Sequence, residues 1–181
     1  MSRFDRHIVM IGMMGAGKTT IGRQLASRLG YGFWDNDEAL SQATGETAAE
    51  VQRAEGQDAL HRLENRLLRE ALADQSLKVF AAAASVVLEP ELLAGAVTVW
   101  LRVSPTREAE NIAHSGQDHR PLPGDPVDAL RRVGAEREHL YAQLADVMVD
   151  VGSADPGATC EQVLAALRTC ASSQCAAGEQ S

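Results

Sequence analysis

The sequence predicts an α/β fold, a parallel sheet with helices on both faces, built around a phosphate-binding loop. Three observations carry this. Residues Gly12-Met13-Met14-Gly15-Ala16-Gly17-Lys18-Thr19 fit G-x-x-x-x-G-K-[ST] at every fixed position. The loop lies between the apolar run Ile8–Ile11, which reads as a buried strand, and a stretch in which Ile21, Leu25 and Leu29 recur every fourth residue, a helix with one apolar stripe. Downstream, strand-like and helix-like segments alternate at the spacing of βα units.

The chemistry of the loop follows from its backbone. Glycines allow successive N–H groups to converge on one point, and the next helix adds the positive end of its dipole there. Lys18 would reach the β- and γ-phosphates of a nucleoside triphosphate, and the Thr19 hydroxyl would take a place on Mg²⁺. The Lys-Thr pair and the strand–loop–helix context separate this loop from an ordinary glycine turn.

Length and charge narrow the rest. At 181 residues one domain is expected, large enough to bury a core without disulfides. The balance of 25 acidic against 17 basic residues gives −8 with no basic run, which argues against a nucleic-acid partner. No stretch reaches the length of a membrane span. Arg3 and Arg6 precede an apolar run as in a signal peptide, but that run leads into the phosphate loop, so no cleavage is expected. Cys160, Cys170 and Cys175 lack metal-ligand spacing and read as reduced thiols of a cytoplasmic protein, expected to act as a monomer.

The elements follow in order. Tyr31 to Trp34 reads as the second strand, ending in Asp35-Asn36-Asp37. Thr47-Ala48-Ala49-Glu50 is a capping box opening a helix to Glu55, and Asp58 to Ala73 is a second helix with Leu60, Leu63, Leu67 and Leu68 on its apolar side. Strands are predicted at Lys78–Ala83, Val97–Val103 and Asp146–Val151. Ser104-Pro105, Asp125-Pro126 and Asp155-Pro156 each place a capping residue before a proline at the first helical position. The last helix is expected to reach about Thr169, with 171–181 a disordered tail and 113–124 a polar, Gly/Pro-rich mobile loop. No internal repeat is present.

Magnesium needs a carboxylate, commonly at a strand end, and both Phe33-Trp34-Asp35 and Met148-Val149-Asp150 offer one. Asp35 has Asp37 beside it, and such a pair suits a kinase: one carboxylate supports the metal, the other accepts a hydrogen bond from the attacking hydroxyl. The plainer reading is that Asn36-Asp37 starts the next helix.

Here the chain resembles the shikimate kinase family, from the phosphate loop to Pro156. The family's loop followed by Ile-Gly-Arg-x-Leu-Ala is matched by Gly15-Ala16-Gly17-Lys18-Thr19-Thr20-Ile21-Gly22-Arg23-Gln24-Leu25-Ala26. Its Phe-x-Asp-x-Asp is Phe33–Asp37, its Thr-Gly is Thr44-Gly45, its lid motif is Arg120-Pro121-Leu122, and its Arg-x-x-Leu-Tyr is Arg137–Tyr141. The resemblance implies a three-layer P-loop kinase fold with a five-stranded sheet in the order 2-3-1-4-5, a substrate-binding lobe over 36–73 and a lid over 113–124. It implies ATP and Mg²⁺, with Gly12, Gly15, Ala16, Gly17, Lys18, Thr19, Thr20, Arg120 and Pro156 at the nucleotide. Thr19 and Asp35 would hold the metal. Lys18, Asp37 and Arg120 would be catalytic, and Asp37, His61, Ala84 and Arg137 would face the acceptor. The implied setting is aromatic amino acid biosynthesis.

The departures concern the acceptor. The family's Phe-Arg falls at Leu60-His61, and a histidine cannot form the bidentate fork by which that arginine clamps a carboxylate. Arg62 is no substitute, because one residue along a helix turns a side chain by about 100°. The family's triple glycine falls at Ala83-Ala84-Ser85, where glycine would permit positive φ and close approach. The arginine that opens the lid, seven before Arg-Pro-Leu, is Ala113. Losing one buried charge-assisted pair costs roughly 1.5–3 kcal/mol, or about 10- to 150-fold in binding. The expectation is an ATP-dependent kinase acting on a hydroxyl of a small polar molecule, shikimate or a related cyclic polyol or hydroxy acid. The alternative is a non-catalytic relative that binds ATP and acts through a partner.

Overall fold

The structure, a computed structural model, describes residues 5–114, 124–152 and 155–178, with side chains to Ala171. The chain runs β1 (Ile8–Ile11), α1 (Lys18–Leu29), β2 (Gly32–Asp35), α2 (Asn36–Thr44), α3 (Ala48–Glu55), α4 (Gln57–Leu72), β3 (Lys78–Ala81), β4 (Val97–Arg102), α5 (Pro105–His114), α6 (Pro126–Leu144), β5 (Val147–Asp150) and α7 (Pro156–Gly178). Two short 3₁₀ turns, Val86–Leu88 and Pro90–Leu93, fill the connection from β3 to β4.

The five strands form one parallel sheet in the order β2-β3-β1-β4-β5, as expected. Burial explains their composition. β1 is buried along its whole length and β4 up to Leu101, so β1 reads as a continuous apolar run and β4 as one interrupted only by Thr98, rather than as alternating strands. β5 pairs only with β4, and there Val147 and Val149 are buried while Met148 and Asp150 face out.

Successive β1 side chains point to opposite faces and so seed two cores. Ile8 and Met10 pack with Ile21, Leu25 and Ala26 of α1 and with Cys160, Val163 and Leu167 of α7. Val9 and Ile11 pack with Leu68 of α4, the 3₁₀ turns, and Leu130 and Tyr141 of α6. Leu40, Val51 and Leu60 make a third, small core that ties α2, α3 and α4 into a lobe. That lobe holds three helices and no strand between Asn36 and Leu72.

The helix starts predicted from sequence are realised as hydrogen bonds. Thr47 and Glu50 form the reciprocal capping box of α3. Asp125 accepts from the amides of Val127 and Asp128, and Asp155 from those of Gly157 and Ala158.

Several boundaries differ from expectation by a residue or two, and the following bear on the site or the fold. β2 is shifted by one residue to include Asp35, and β3 ends at Ala81, so Ala83-Ala84-Ser85 belongs to a turn. The stretch 171–178, expected as a disordered tail, continues α7 to Gly178, since residues 171–177 contain neither proline nor glycine to stop it. Most of the expected lid, Arg120 included, lies outside the described residues; Ala113 is exposed in the last turn of α5. Among the described residues no helix is long and apolar enough to cross a membrane.

Leu167 is 0 % exposed and joins α7 to the sheet. Leu167→Ala should lower stability by about 2–5 kcal/mol, seen as a fall in the urea midpoint with unchanged slope.

Candidate active site

The phosphate loop spans the gap from the carboxyl end of β1 to the start of α1. Gly15 stands at φ +78, and a β-carbon there would meet the Glu108 carbonyl at 2.6 Å. At Gly12 a β-carbon would meet the Leu101 carbonyl at 2.7 Å. These glycines let β4 and α5 close on the loop. Asn111 of α5 fastens the contact by donating to the Gly15 carbonyl at 2.8 Å. Ala16 is buried, and Thr20 is exposed on the first turn of α1. Lys18 Nζ donates to the carbonyls of Gly12 and Met13, both at 2.8 Å, which holds the ammonium over the loop.

Thr19 Oγ1 donates to Asp35 Oδ2 at 2.7 Å, so the two residues expected at the metal meet directly. The other Asp35 oxygen accepts from the amides of Asp37 and Glu38 at 3.0 and 3.2 Å, capping α2. Asp37 is exposed on the first turn of that helix, so the pair both starts the helix and presents a second carboxylate. Two hard oxygen donors beside a phosphate cradle fit Mg²⁺, which takes one or two protein oxygens and completes its shell with phosphate and water. Asp150, the other carboxylate open in the sequence, is instead paired bidentately with Arg102, Nε to Oδ1 at 2.5 Å and Nη2 to Oδ2 at 2.9 Å.

The neighbouring residues show why the sequence folds this way. A β-carbon at Gly22 would come 2.9 Å from Phe33 Cε2, so the glycine admits the ring. Arg23 covers that ring at 5.0 Å and pairs with Glu38 of α2. α1 thereby fixes β2 and the helix that follows Asp35.

The residues expected at the acceptor come from distant segments. The Ala84 carbonyl accepts from Arg137 Nη1 at 3.2 Å and from the Tyr141 hydroxyl at 2.8 Å, joining the turn after β3 to α6. Tyr141 is buried and stacked on Trp100 at 5.6 Å, and burial pushes its phenol well above the ordinary range, so it stays a donor. Among the described residues no residue other than glycine has positive φ, so Ala83, Ala84 and Ser85 carry no left-handed strain. The freedom that glycine would give there is not used: the turn is built in ordinary backbone. His61 is half-buried on α4, one turn before Glu64, and Pro156 opens α7. Arg120 lies outside the described residues.

The profile of the shikimate kinase family matches residues 14–168. This chain belongs to the shikimate kinase family. With the donor site described above, it is an ATP-dependent small-molecule kinase. A shikimate kinase of Mycobacterium avium is 36% identical over 164 residues, 88% of this chain and 92% of that protein. One of Mycobacterium tuberculosis is 34% identical over 174 residues, 93% of this chain and 97% of that protein. Among solved structures, the shikimate kinase of Acinetobacter baumannii in complex with shikimate superposes with a TM-score of 0.85 at 24% identity, over 92% of this chain and 95% of that one. A gluconokinase of Sinorhizobium meliloti shares the fold with a TM-score of 0.65 at 22% identity, over 95% of this chain and 97% of that one.

Within this kinase fold, several site residues carried little sequence signal. Glu64 occupies the buried stripe of α4 between Leu60 and Leu68, and an acid at that spacing was the clue. Its partners Asn36 and Ser85 were legible only as a helix start and as the last position of the missing triple glycine. Glu108 looks like an ordinary first-turn acid of α5, yet it is 3% exposed. It lines a cleft of about 750 Å³ between α5 and α6 that borders Met13 but none of residues 15–20. Burial pushes its carboxyl from 4.5 up to about 8, with the Lys18 charge opposing.

Two predictions follow from this geometry. Lys18→Ala should leave the fold intact and lower kcat at least ~10²-fold by removing a cation from the developing phosphate charge; equal turnover would place the chemistry elsewhere. For Glu108, the unfolded chain ionises above about 4.5 and the native state only above about 8, so the native state holds the extra proton between those values. Stability should therefore fall as pH rises through that window. Glu108→Gln should remove the slope and exceed wild type at pH 8.5 by up to about 5 kcal/mol in urea melts.

Proposed function

We propose that this kinase transfers the γ-phosphoryl group of ATP to a hydroxyl of shikimate, with Mg²⁺. The observation that carries the reading is the Thr19–Asp35 contact at the phosphate loop, with Asp37 in the next helical turn. The 36% identity to a curated shikimate kinase over 88% of the chain supports the choice of acceptor.

The roles are those the family resemblance implies. The loop amides and Lys18 hold the β- and γ-phosphates, and Pro156 borders the nucleotide. Mg²⁺ held by Thr19 and Asp35 would offset charge on the phosphate oxygens. The acceptor oxygen bonds to the γ-phosphorus while the bond from that phosphorus to the β–γ bridging oxygen breaks. ADP leaves with the bridging oxygen, and the acceptor proton passes to Asp37. Arg120, outside the described residues, is assigned to the phosphates by the family resemblance alone. Arg137, already at the Ala84 carbonyl, holds the acceptor carboxylate. The net charge of −8 supports a reading without nucleic acid, and the cysteines support a cytoplasmic setting. A non-catalytic nucleotide binder would need neither the Thr19–Asp35 pair nor Asp37, and no observation favours it.

His61 leaves one carboxylate clamp where the family pattern has two, so the deficit should fall on KM rather than kcat. Steady-state kinetics with shikimate should show turnover with a KM well above the micromolar range. His61→Arg should lower that KM about 10- to 150-fold, and adding Ala83→Gly and Ala84→Gly should extend the gain by making room beside the ring. A micromolar wild-type KM would void this account of His61. Absence of turnover with shikimate and with related hydroxy acids, despite tight ATP binding, would remove the kinase reading.

A further inference from the structure

Three buried polar side chains lie between the two halves of the acceptor site. Glu64 and Ser85 are each 1% exposed and Asn36 is 3% exposed. Ser85 Oγ donates to Glu64 Oε2 at 2.8 Å, and Asn36 Nδ2 donates to Glu64 Oε1 at 3.4 Å. One carboxyl group thus accepts from two elements that are otherwise separate, the turn after β3 and the first turn of α2.

Those two elements carry the acceptor chemistry. Ser85 follows Ala84, whose carbonyl is gripped from the other side by Arg137 and Tyr141. Asn36 sits between Asp35, which meets Thr19, and Asp37. We infer that Glu64 is a positioning residue that sets the acceptor wall against the aspartate pair, through Ser85 on one side and Asn36 on the other. Both of these bonds run to supporting side chains, Ser85 and Asn36.

The physical reason is the cost of burying a carboxyl group. A buried acceptor without a donor is expensive, so each hydrogen bond constrains the backbone that supplies it. With donors from both walls on one side chain, a shift of either wall breaks a bond in the same network. The rigid support is α4 itself, where Leu60 and Leu68 lock the face that bears Glu64 into the core. The link belongs to this chain: a glycine at position 85, as in the family's triple glycine, has no hydroxyl to donate. The turn is therefore held by a side chain where the family pattern leaves only backbone.

The inference rests on the acceptor-site reading above, and the test separates the two. In Ser85→Ala and in Asn36→Ala the shikimate KM should rise roughly tenfold while the ATP KM stays unchanged. The double variant should rise by less than the product of the singles, because both act through one carboxyl group. Hydrogen exchange needs no substrate: Ser85→Ala should speed exchange at the amides of Asp37–Leu40, across Glu64 from the mutation. A fall in thermal stability with the shikimate KM unmoved and exchange altered only around residue 85 would overturn the inference. Should wild type not use shikimate at all, the phosphorylation reading falls and the exchange result alone decides whether Glu64 positions the wall.

Discussion

The hydrogen bond from Thr19 to Asp35 is the constraint on which the rest of the site depends. It joins the helix that follows the phosphate loop to the end of a strand two places away in the sheet. Only a parallel sheet brings both carboxyl ends to one edge. The order β2-β3-β1-β4-β5 places the switch point at β1, where chain connections diverge to either side and open a crevice. The phosphate loop sits in that crevice because it is the continuation of β1. Asp35 reaches it because β2 carries its last residue to the same edge.

The bond is held in place from several directions. Asp35 spends its second oxygen on two amides of α2, so its side chain has one orientation. Gly22, Phe33, Arg23 and Glu38 pack α1 against β2 and α2, which fixes the separation of the Thr19 and Asp35 backbones. On the far side, Asn111 and the close approach of the Glu108 carbonyl seat the loop against α5. The motif residues around the loop are therefore packing residues as much as chemical ones.

Legibility in the sequence followed the range of the contacts. The donor half was readable because its chemistry is local: the loop, its lysine and its threonine lie within eight consecutive residues, bracketed by a strand and a helix. The sheet order was readable through family resemblance, and capping signals at Thr47, Asp125 and Asp155 located three helix starts. Asn36, Glu64, Ala84, Ser85, Arg137 and Tyr141, by contrast, come together only through tertiary packing. Spacing does not encode such contacts. The wall at Ala83-Ala84-Ser85 shows the limit clearly: missing glycines suggested lost backbone freedom, whereas the turn forms without positive φ and gains a hydroxyl. The end of α7 was misjudged for a simpler reason, since a polar, small-residue composition was read as disorder although nothing in it breaks a helix.

Donor and acceptor halves thus rest on different kinds of support, local backbone on one side and a buried polar network on the other. What unites them is the claim that the phosphoryl group leaves ATP for an acceptor hydroxyl, with water kept from the same role. Phosphorus NMR of the enzyme with ATP, Mg²⁺ and shikimate tests this most directly. The account predicts one new phosphomonoester for each ATP converted to ADP, with little inorganic phosphate. ADP accompanied by inorganic phosphate alone would contradict it.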